Sequence, residues 1–221
     1  MITKVNNNSS SAVKSRWKFR YSSSNTTYLM ANLSIYLAWF ILSATVPNIG
    51  YLNLGYTQIT YLAALTVIAT FHLGFVGNIS VGLFFGLSSW FAAYIYGIPK
   101  YQYFDLSVIP RVEVALGVYV LFWVFNVFKK PAVWKLTLLG VISTMLNHYF
   151  VFFAQYLHEL IRPGDLGKNG VPPIAVWLFV RLFNIISEPI LGGMLLFAMY
   201  PALIALREQF KSIKKLYYYI H

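Results

Sequence analysis

The sequence predicts an all-α integral membrane protein, a bundle of six transmembrane helices with both termini cytoplasmic. Three observations lead there. Hydrophobic residues make up 58% of the 221 and charged residues only 10%, six long apolar stretches fill most of the chain, and the charges fall between those stretches or at the ends. An ordinary soluble domain carries about 25% charged residues, so a soluble enzyme is disfavoured.

A helix needs roughly 20 mostly apolar residues to cross a hydrocarbon core of about 30 Å. The segments of suitable length run from Leu29 to Val46, Ile59 to Phe75, Ile79 to Tyr96, Val108 to Phe128, Ala132 to Leu157, and Ile174 to Leu206. The second is short and the last long, which predicts tilt and kinking. Pro201 is placed to bend the sixth or to begin an interfacial turn. Runs such as Val118-Tyr119-Val120-Leu121-Phe122-Trp123 lack the alternating polarity of barrel strands, so the spans are read as helices.

The formal charge of +11 is explained by where the basic residues sit. Lys14, Arg16, Lys18 and Arg20 precede the first span, Lys129, Lys130 and Lys135 join the fourth and fifth, and Arg207, Lys211, Lys214 and Lys215 follow the sixth. With six spans these clusters share one side, which the positive-inside rule makes cytoplasmic. Lys100, Arg111, Arg162, Lys168 and Arg181 are left in the outer half. This topology signal, with attraction to anionic lipid, accounts for the basic excess without nucleic acid. Residues 1 to 24, with their Asn and Ser run, read as a flexible basic cytoplasmic tail, and 25 to 221 as the six-helix domain. The first apolar run begins only near residue 29, so no cleaved leader is expected. Cysteine is absent, which excludes disulfides, zinc-thiolate sites and a thiol nucleophile.

Inner connections are tight, Val76-Gly77-Asn78 and Lys129-Lys130-Pro131, whereas outer ones are long, Pro47 to Gln58, Gly97 to Ser107 and His158 to Pro173. Long structured loops are where binding groups tend to sit, so the expected site opens outward. Polar residues within the spans are its candidates, because they are costly in a bilayer and need partners. Trp177, Arg181, Asn184 and Glu188, spaced by four, three and four, form one stripe of the sixth span. Gly140, Thr144, Asn147 and Val151 form a similar stripe of the fifth, with Asn147 and Asn184 at comparable depth. The alternative is an interhelical clamp, such as Glu188 with Arg181 or Arg111. Arg111 follows Pro110, a residue suited to a first helical turn, and is placed to neutralise Asp105 or Glu113 or to meet an anionic ligand group. In the first outer loop Tyr51, Asn53, Tyr56 and Gln58 offer aromatic faces with amide and hydroxyl groups, a mixture suited to small ligands and also to a lipid interface.

The glycine-spaced segment Leu73-Gly74-Phe75-Val76-Gly77-Asn78-Ile79-Ser80-Val81-Gly82-Leu83-Phe84-Phe85-Gly86-Leu87-Ser88-Ser89 suits close helix packing. With Pro47 to Tyr56 before it and Ser107 to Arg111 after it, this segment resembles the substrate-binding S components of energy-coupling factor transporters. Gly140 to Asn147 resembles that family's Gly- and Thr-rich fifth helix, and Asn184-Ile185-Ile186-Ser187-Glu188 its sixth-helix Asn and Glu pair. The resemblance covers about Ala31 to Leu206. It implies a protein of the bacterial plasma membrane that captures a water-soluble vitamin and works with a transmembrane coupling subunit and two cytoplasmic ATPases. No Walker A loop is present, so ATP would have to be used by the partners. No cofactor is implied, and catalysis is not expected of this chain.

The expected ligand contacts are Asn53, Tyr56, Arg111, Asn147, Arg181, Asn184 and Glu188, with the first outer loop as a lid. Ser34 and Ala38, four apart, resemble the family's small-residue docking element for the coupling subunit, with Ser in place of Ala; packing inside the bundle is the alternative. Pantothenate, riboflavin and pyridoxine-type vitamins all remain open, with Arg111 and Arg181 favouring an anion such as pantothenate. Two other classes stand beside this reading. An intramembrane metalloenzyme would use His72, His148 or His158, but His158-Glu159 lacks the second His of a zinc-protease helix, having Arg162 there instead. A structural membrane subunit would bind no small ligand.

Overall fold

The computed structural model describes residues 23–54, 57–167 and 171–220. Most of the basic tail and Tyr56 therefore lie outside the described residues. The chain is mostly helical, in the order α1 (Ser23–Thr45), β1 (Tyr51–Asn53), β2 (Gln58–Thr60), α2 (Leu62–Ile95), a 3-10 turn (Pro99–Gln102), α3 (Phe104–Ser107), α4 (Ile109–Val124), α5 (Val133–Ile161) and α6 (Ile174–Ile220). Among the described residues, five helices are long and apolar enough to cross a membrane.

The expected second and third spans are the two limbs of α2, and the break between them lies at Gly74 rather than at residues 76–78. Gly74 adopts φ 70° and ψ −145°, a conformation essentially restricted to glycine. The chain folds back there. Residues eight apart would be about 12 Å apart along a continuous helix, yet Asn78 Nδ2 donates to Thr70 Oγ1 at 2.7 Å, and a Cβ on Gly77 would meet the Ala69 carbonyl oxygen at 2.6 Å. No atom lies within 4 Å of a Cβ built on Gly74, so a side chain there meets a conformational cost alone. Gly74→Ala should destabilise the fold by about 1–3 kcal/mol, lowering the thermal midpoint followed by circular dichroism in detergent. An unchanged midpoint would mean that the fold-back does not depend on this conformation.

The first limb starts later than the sequence suggests. Ile59 and Thr60 belong to β2, which pairs antiparallel with β1 in the register Tyr51↔Thr60, Leu52↔Ile59 and Asn53↔Gln58. Residues Leu62 to Leu73 are all buried. At 1.5 Å per residue this limb is roughly 18 Å long, too short for the hydrocarbon core, but protein surrounds it, which removes the need to match the lipid.

The second limb packs closely on α4 because its small residues leave no room for side chains. A Cβ on Gly82 would lie 2.6 Å from the Ala115 Cβ, and one on Gly86 would lie 2.8 Å from the Val108 Cα. The same device joins α5 to α6. A Cβ on Gly140 would lie 2.5 Å from the Gly192 carbonyl oxygen, and one on Gly192 would lie 2.7 Å from the Gly140 oxygen. Phe40, Phe71, Phe85, Phe122, Leu136, Leu139, Leu196 and Leu203 fill the core between these helices. α6 continues through both Pro189 and Pro201, so Pro201 does not end it.

One end of the bundle is held by Arg207. Its guanidinium donates to the carbonyls of Phe71 (2.8 Å) and Phe128 (3.1 Å) and lies over both rings, 4.5 Å and 5.0 Å from their centroids. It thereby ties α6 to the α2 fold-back and to the turn before α5. Lys135 Nζ donates to the Phe125 carbonyl at 2.9 Å in the same turn. The start of α1 reaches this end too: Tyr28 stacks on Phe210 at 5.8 Å and its hydroxyl lies 2.9 Å from His72 Nε2. The basic residues of the α4–α5 turn and of late α6 thus share one end.

Candidate functional site

The other end holds a cavity of about 530 Å³. Its walls come from the β-hairpin, the second limb of α2, the 98–101 segment, α4, α5 and α6. Asn53, Arg111, Asn147, Arg181, Asn184 and Glu188 all line it. Tyr56, the remaining expected contact, lies in the gap between described residues.

The hairpin poses a problem in an apolar setting, since non-helical backbone at membrane depth must find its hydrogen bonds within the protein. α6 supplies them. Asn184 Nδ2 donates to the Gln58 carbonyl at 2.5 Å, and its Oδ1 accepts from Thr57 Oγ1 at 2.7 Å. Glu188 Oε1 accepts from the Thr60 backbone N–H at 3.2 Å and from Asn184 Nδ2 at 3.2 Å. The strand ends are also tied to the preceding loop, through Thr60 Oγ1 to the Gly50 carbonyl at 2.9 Å and Tyr61 OH to the Ile49 carbonyl at 2.6 Å. Asn184 and Glu188 therefore hold the hairpin over the cavity as well as facing it.

The periodic stripes explain how the helices bring these groups together. On α5, Gly140, Thr144, Asn147 and Val151 are all buried, and on α6 Trp177, Asn184 and Glu188 are buried with Arg181 partly so. The small Gly140–Gly192 crossing draws the two helices together below the cavity. His148, beside Asn147, places its Nε2 3.2 Å from Glu188 Oε2. The side chain facing Glu188 Oε2 is therefore His148, an ion pair only when the imidazole is protonated, and neither Arg181 nor Arg111 is within ion-pairing distance among the described residues. The sequence had offered His148 only as a metal ligand. Nothing in its spacing pointed to Glu188, which is forty residues away on another helix.

Arg111 also departs from expectation. Asp105, its anticipated partner, lies instead 2.6 Å from His158 Nδ1, with Asp165 3.7 Å from the other ring nitrogen. Arg111 is buried, donates to the Leu106 carbonyl at 2.6 Å, and lies over the rings of Phe85 (5.7 Å) and Tyr101 (5.5 Å). Neither Glu113 nor any other carboxylate is within ion-pairing distance of it among the described residues.

The field at this end is positive. Burial raises the Tyr101 hydroxyl pKa, but Lys100, Arg181 and Arg111 together outweigh that and bring it below its ordinary value. Lys100 is itself lowered, chiefly by burial and further by Arg181, against the opposing influence of Tyr101. Burial raises Tyr51, with Arg111 pulling the other way. Tyr51 and Tyr101 thus offer aromatic walls beside the guanidiniums.

Ser34 and Ala38 are remote from this cavity. Both are exposed on α1, where the Ser34 hydroxyl bonds only back to the Met30 carbonyl at 2.9 Å. Packing inside the bundle is not their role in this fold. Among the described residues, no three His, Cys, Asp or Glu side chains converge in a way that could hold a metal ion. No known family model matches the chain, and no curated protein matches it.

Proposed function

We propose that this chain is the substrate-capturing S component of an energy-coupling factor importer. On this reading it is a six-crossing protein of the bacterial plasma membrane. It binds a water-soluble vitamin at its outer face and delivers it inward with a coupling subunit and two ATPases. The observation that carries the proposal is a roomy polar cavity inside a bundle of apolar helices, covered by a hairpin whose backbone is held by two side chains of α6. A pocket of about 300–1,000 Å³ is the size that encloses small organic ligands. Polar groups inside such a bundle are costly unless they serve a ligand or each other.

The two limbs of α2 count as separate crossings in this reading. The end bearing Arg207, Lys129 and Lys130 then faces the cytoplasm by the positive-inside rule, which puts the cavity outside. The exposed pair on α1 is the natural place for a helix of the coupling subunit, since small residues allow the close approach on which association in lipid depends.

Two measurements test the proposal. Purified protein titrated with pantothenate, riboflavin, pyridoxine and thiamine should change the fluorescence of Trp177, which lines the cavity, with at least one of them. No response to any vitamin would return the chain to a structural role. Ser34→Leu combined with Ala38→Leu should reduce copurification of the coupling subunit while leaving that titration unchanged. Wild-type recovery of the whole complex would remove the docking role from this pair.

A further inference from the structure

Resting on the vitamin-capture reading, a further step concerns the charge of the ligand. Two guanidiniums, Arg111 and Arg181, face the cavity against one carboxylate, Glu188. That carboxylate already accepts from Asn184 and the Thr60 N–H through Oε1, and its Oε2 faces His148 Nε2 at 3.2 Å. Arg111 is 6% exposed, makes one hydrogen bond through its side chain, and leaves its Nε without a partner. A buried cation without a counter-ion is unfavourable, whereas the same cation beside an anion gains a strong charge-assisted hydrogen bond. Among the described residues no carboxylate lies within ion-pairing distance of Arg111.

Further buried atoms among the lining residues have no hydrogen-bond partner: Asn147 Oδ1, an acceptor, Trp177 Nε1, a donor, the Tyr51 hydroxyl, and the facing atoms His148 Nε2 and Glu188 Oε2. Each is a group whose burial costs free energy until it is paired. Asn147 Oδ1 needs a donor, whereas Trp177 Nε1, like the guanidinium, needs an acceptor, so together they specify complementary features of an occupant.

We infer that the cavity is built for a monocarboxylate. Its carboxylate sits against Arg111, with Arg181 nearby, and a hydroxyl or amide elsewhere on the molecule donates to Asn147 and accepts from Trp177. With His148 neutral, Arg111 and Arg181 against Glu188 leave a surplus of one positive charge, which a single negative charge matches. A neutral ring system or a cationic vitamin would leave Arg111 uncompensated, and a cation would add to the repulsion. Arg111 lies over the rings of Tyr101 and Phe85, and its planar guanidinium can recognise a carboxylate through two parallel N–H groups.

The test uses matched pairs of acid and neutral counterpart on the full-length protein in detergent: pantothenate and panthenol, nicotinate and nicotinamide, biotin and biotinamide. Riboflavin, pyridoxine and thiamine complete the panel. The tightest binder should be an acid, its neutral counterpart should bind at least about tenfold more weakly, and Arg111→Gln should reduce that discrimination to about twofold or less. If riboflavin, pyridoxine or thiamine binds most tightly, the inference about the anion fails while vitamin capture stands. If no compound binds, both fail. Should Arg111→Gln not fold, the acid-to-neutral ratio of the wild-type protein decides alone, with Arg181→Gln as the second variant. Equal affinity for acid and neutral forms in the wild type would overturn the inference.

Discussion

Leucine at Gly140 or at Gly192 should unfold the bundle at a markedly lower temperature than the wild type and abolish ligand binding with it. At this crossing each glycine faces the carbonyl oxygen of the other, with hypothetical Cβ positions only 2.5 Å and 2.7 Å from it. Backbone cannot rotate away as a side-chain tip can. Either substitution must therefore push α5 and α6 apart along the contact that aligns Asn147 and His148 with Asn184 and Glu188. Overpacking a close-packed interior costs typically 1–3 kcal/mol and sometimes more, and a clash with backbone belongs at the upper end, about 3 kcal/mol. Thermal unfolding in detergent reads the stability loss, and Trp177 fluorescence reads the cavity. A variant with wild-type stability and binding would show that the two helices can separate without cost. Gly193→Ala is the milder neighbour, since the one close approach of its Cβ would be to the Val141 side chain at 2.9 Å, with the Thr137 carbonyl at an ordinary 3.6 Å.

The second large effect is expected at Asn184. Its amide uses both polarities on the hairpin, donating to the Gln58 carbonyl and accepting from Thr57, and it also donates to Glu188. Asn184→Leu removes all of these while leaving the Gln58 carbonyl and Glu188 short of donors. An unsatisfied buried polar group costs about 1–3 kcal/mol, and each 1.4 kcal/mol is a factor of ten in affinity. Binding of the tightest vitamin of the panel should therefore weaken by about tenfold or more. Because the lost bonds hold the cover and not only the ligand, the dissociation rate should rise more than the association rate falls. Stopped-flow fluorescence separates the two. Thr57→Ala, which removes one of these bonds, should move both quantities the same way by a smaller amount. An Asn184→Leu protein with an unaltered dissociation rate would mean that the hairpin does not retain the ligand.

The helices themselves were plain in the sequence because lipid imposes a demand on composition that shows residue by residue. A run of about twenty apolar residues matches the thickness of a bilayer and exceeds what a buried helix in a soluble core needs. The α5 and α6 stripes were equally legible, since polar residues repeated at helical spacing in an apolar background mark one face. The hairpin was not. Ile59 and Thr60 continue smoothly into Leu62 and Ala63, and an apolar run contains no mark that separates a short buried strand from the first turn of a helix. The site of the fold-back was missed by a few residues for a similar reason. Gly74 and Gly77 are both candidates, and only the backbone angles show that Gly74 makes the turn while Gly77 gives the close contact with Ala69. Charge pairing was the least legible of all. Asp105 lies six residues before Arg111 and looks like its partner, but α3 turns it toward His158, which arrives from the far end of α5. Partners fixed by the meeting of distant segments leave no local pattern.

The clamp at Arg207 has a consequence for solution conditions. It holds carbonyl oxygens and aromatic faces and is not matched with a carboxylate. Dissolved salt weakens attraction between exposed opposite charges by screening them, over a Debye length of about 8 Å at physiological ionic strength. Dipoles and rings in direct contact with a half-buried guanidinium offer far less for ions to screen. The joint between α2, α6 and the α4–α5 turn should therefore depend on ionic strength less than a surface ion pair does, and that end of the molecule should keep its shape over a wider range of salt.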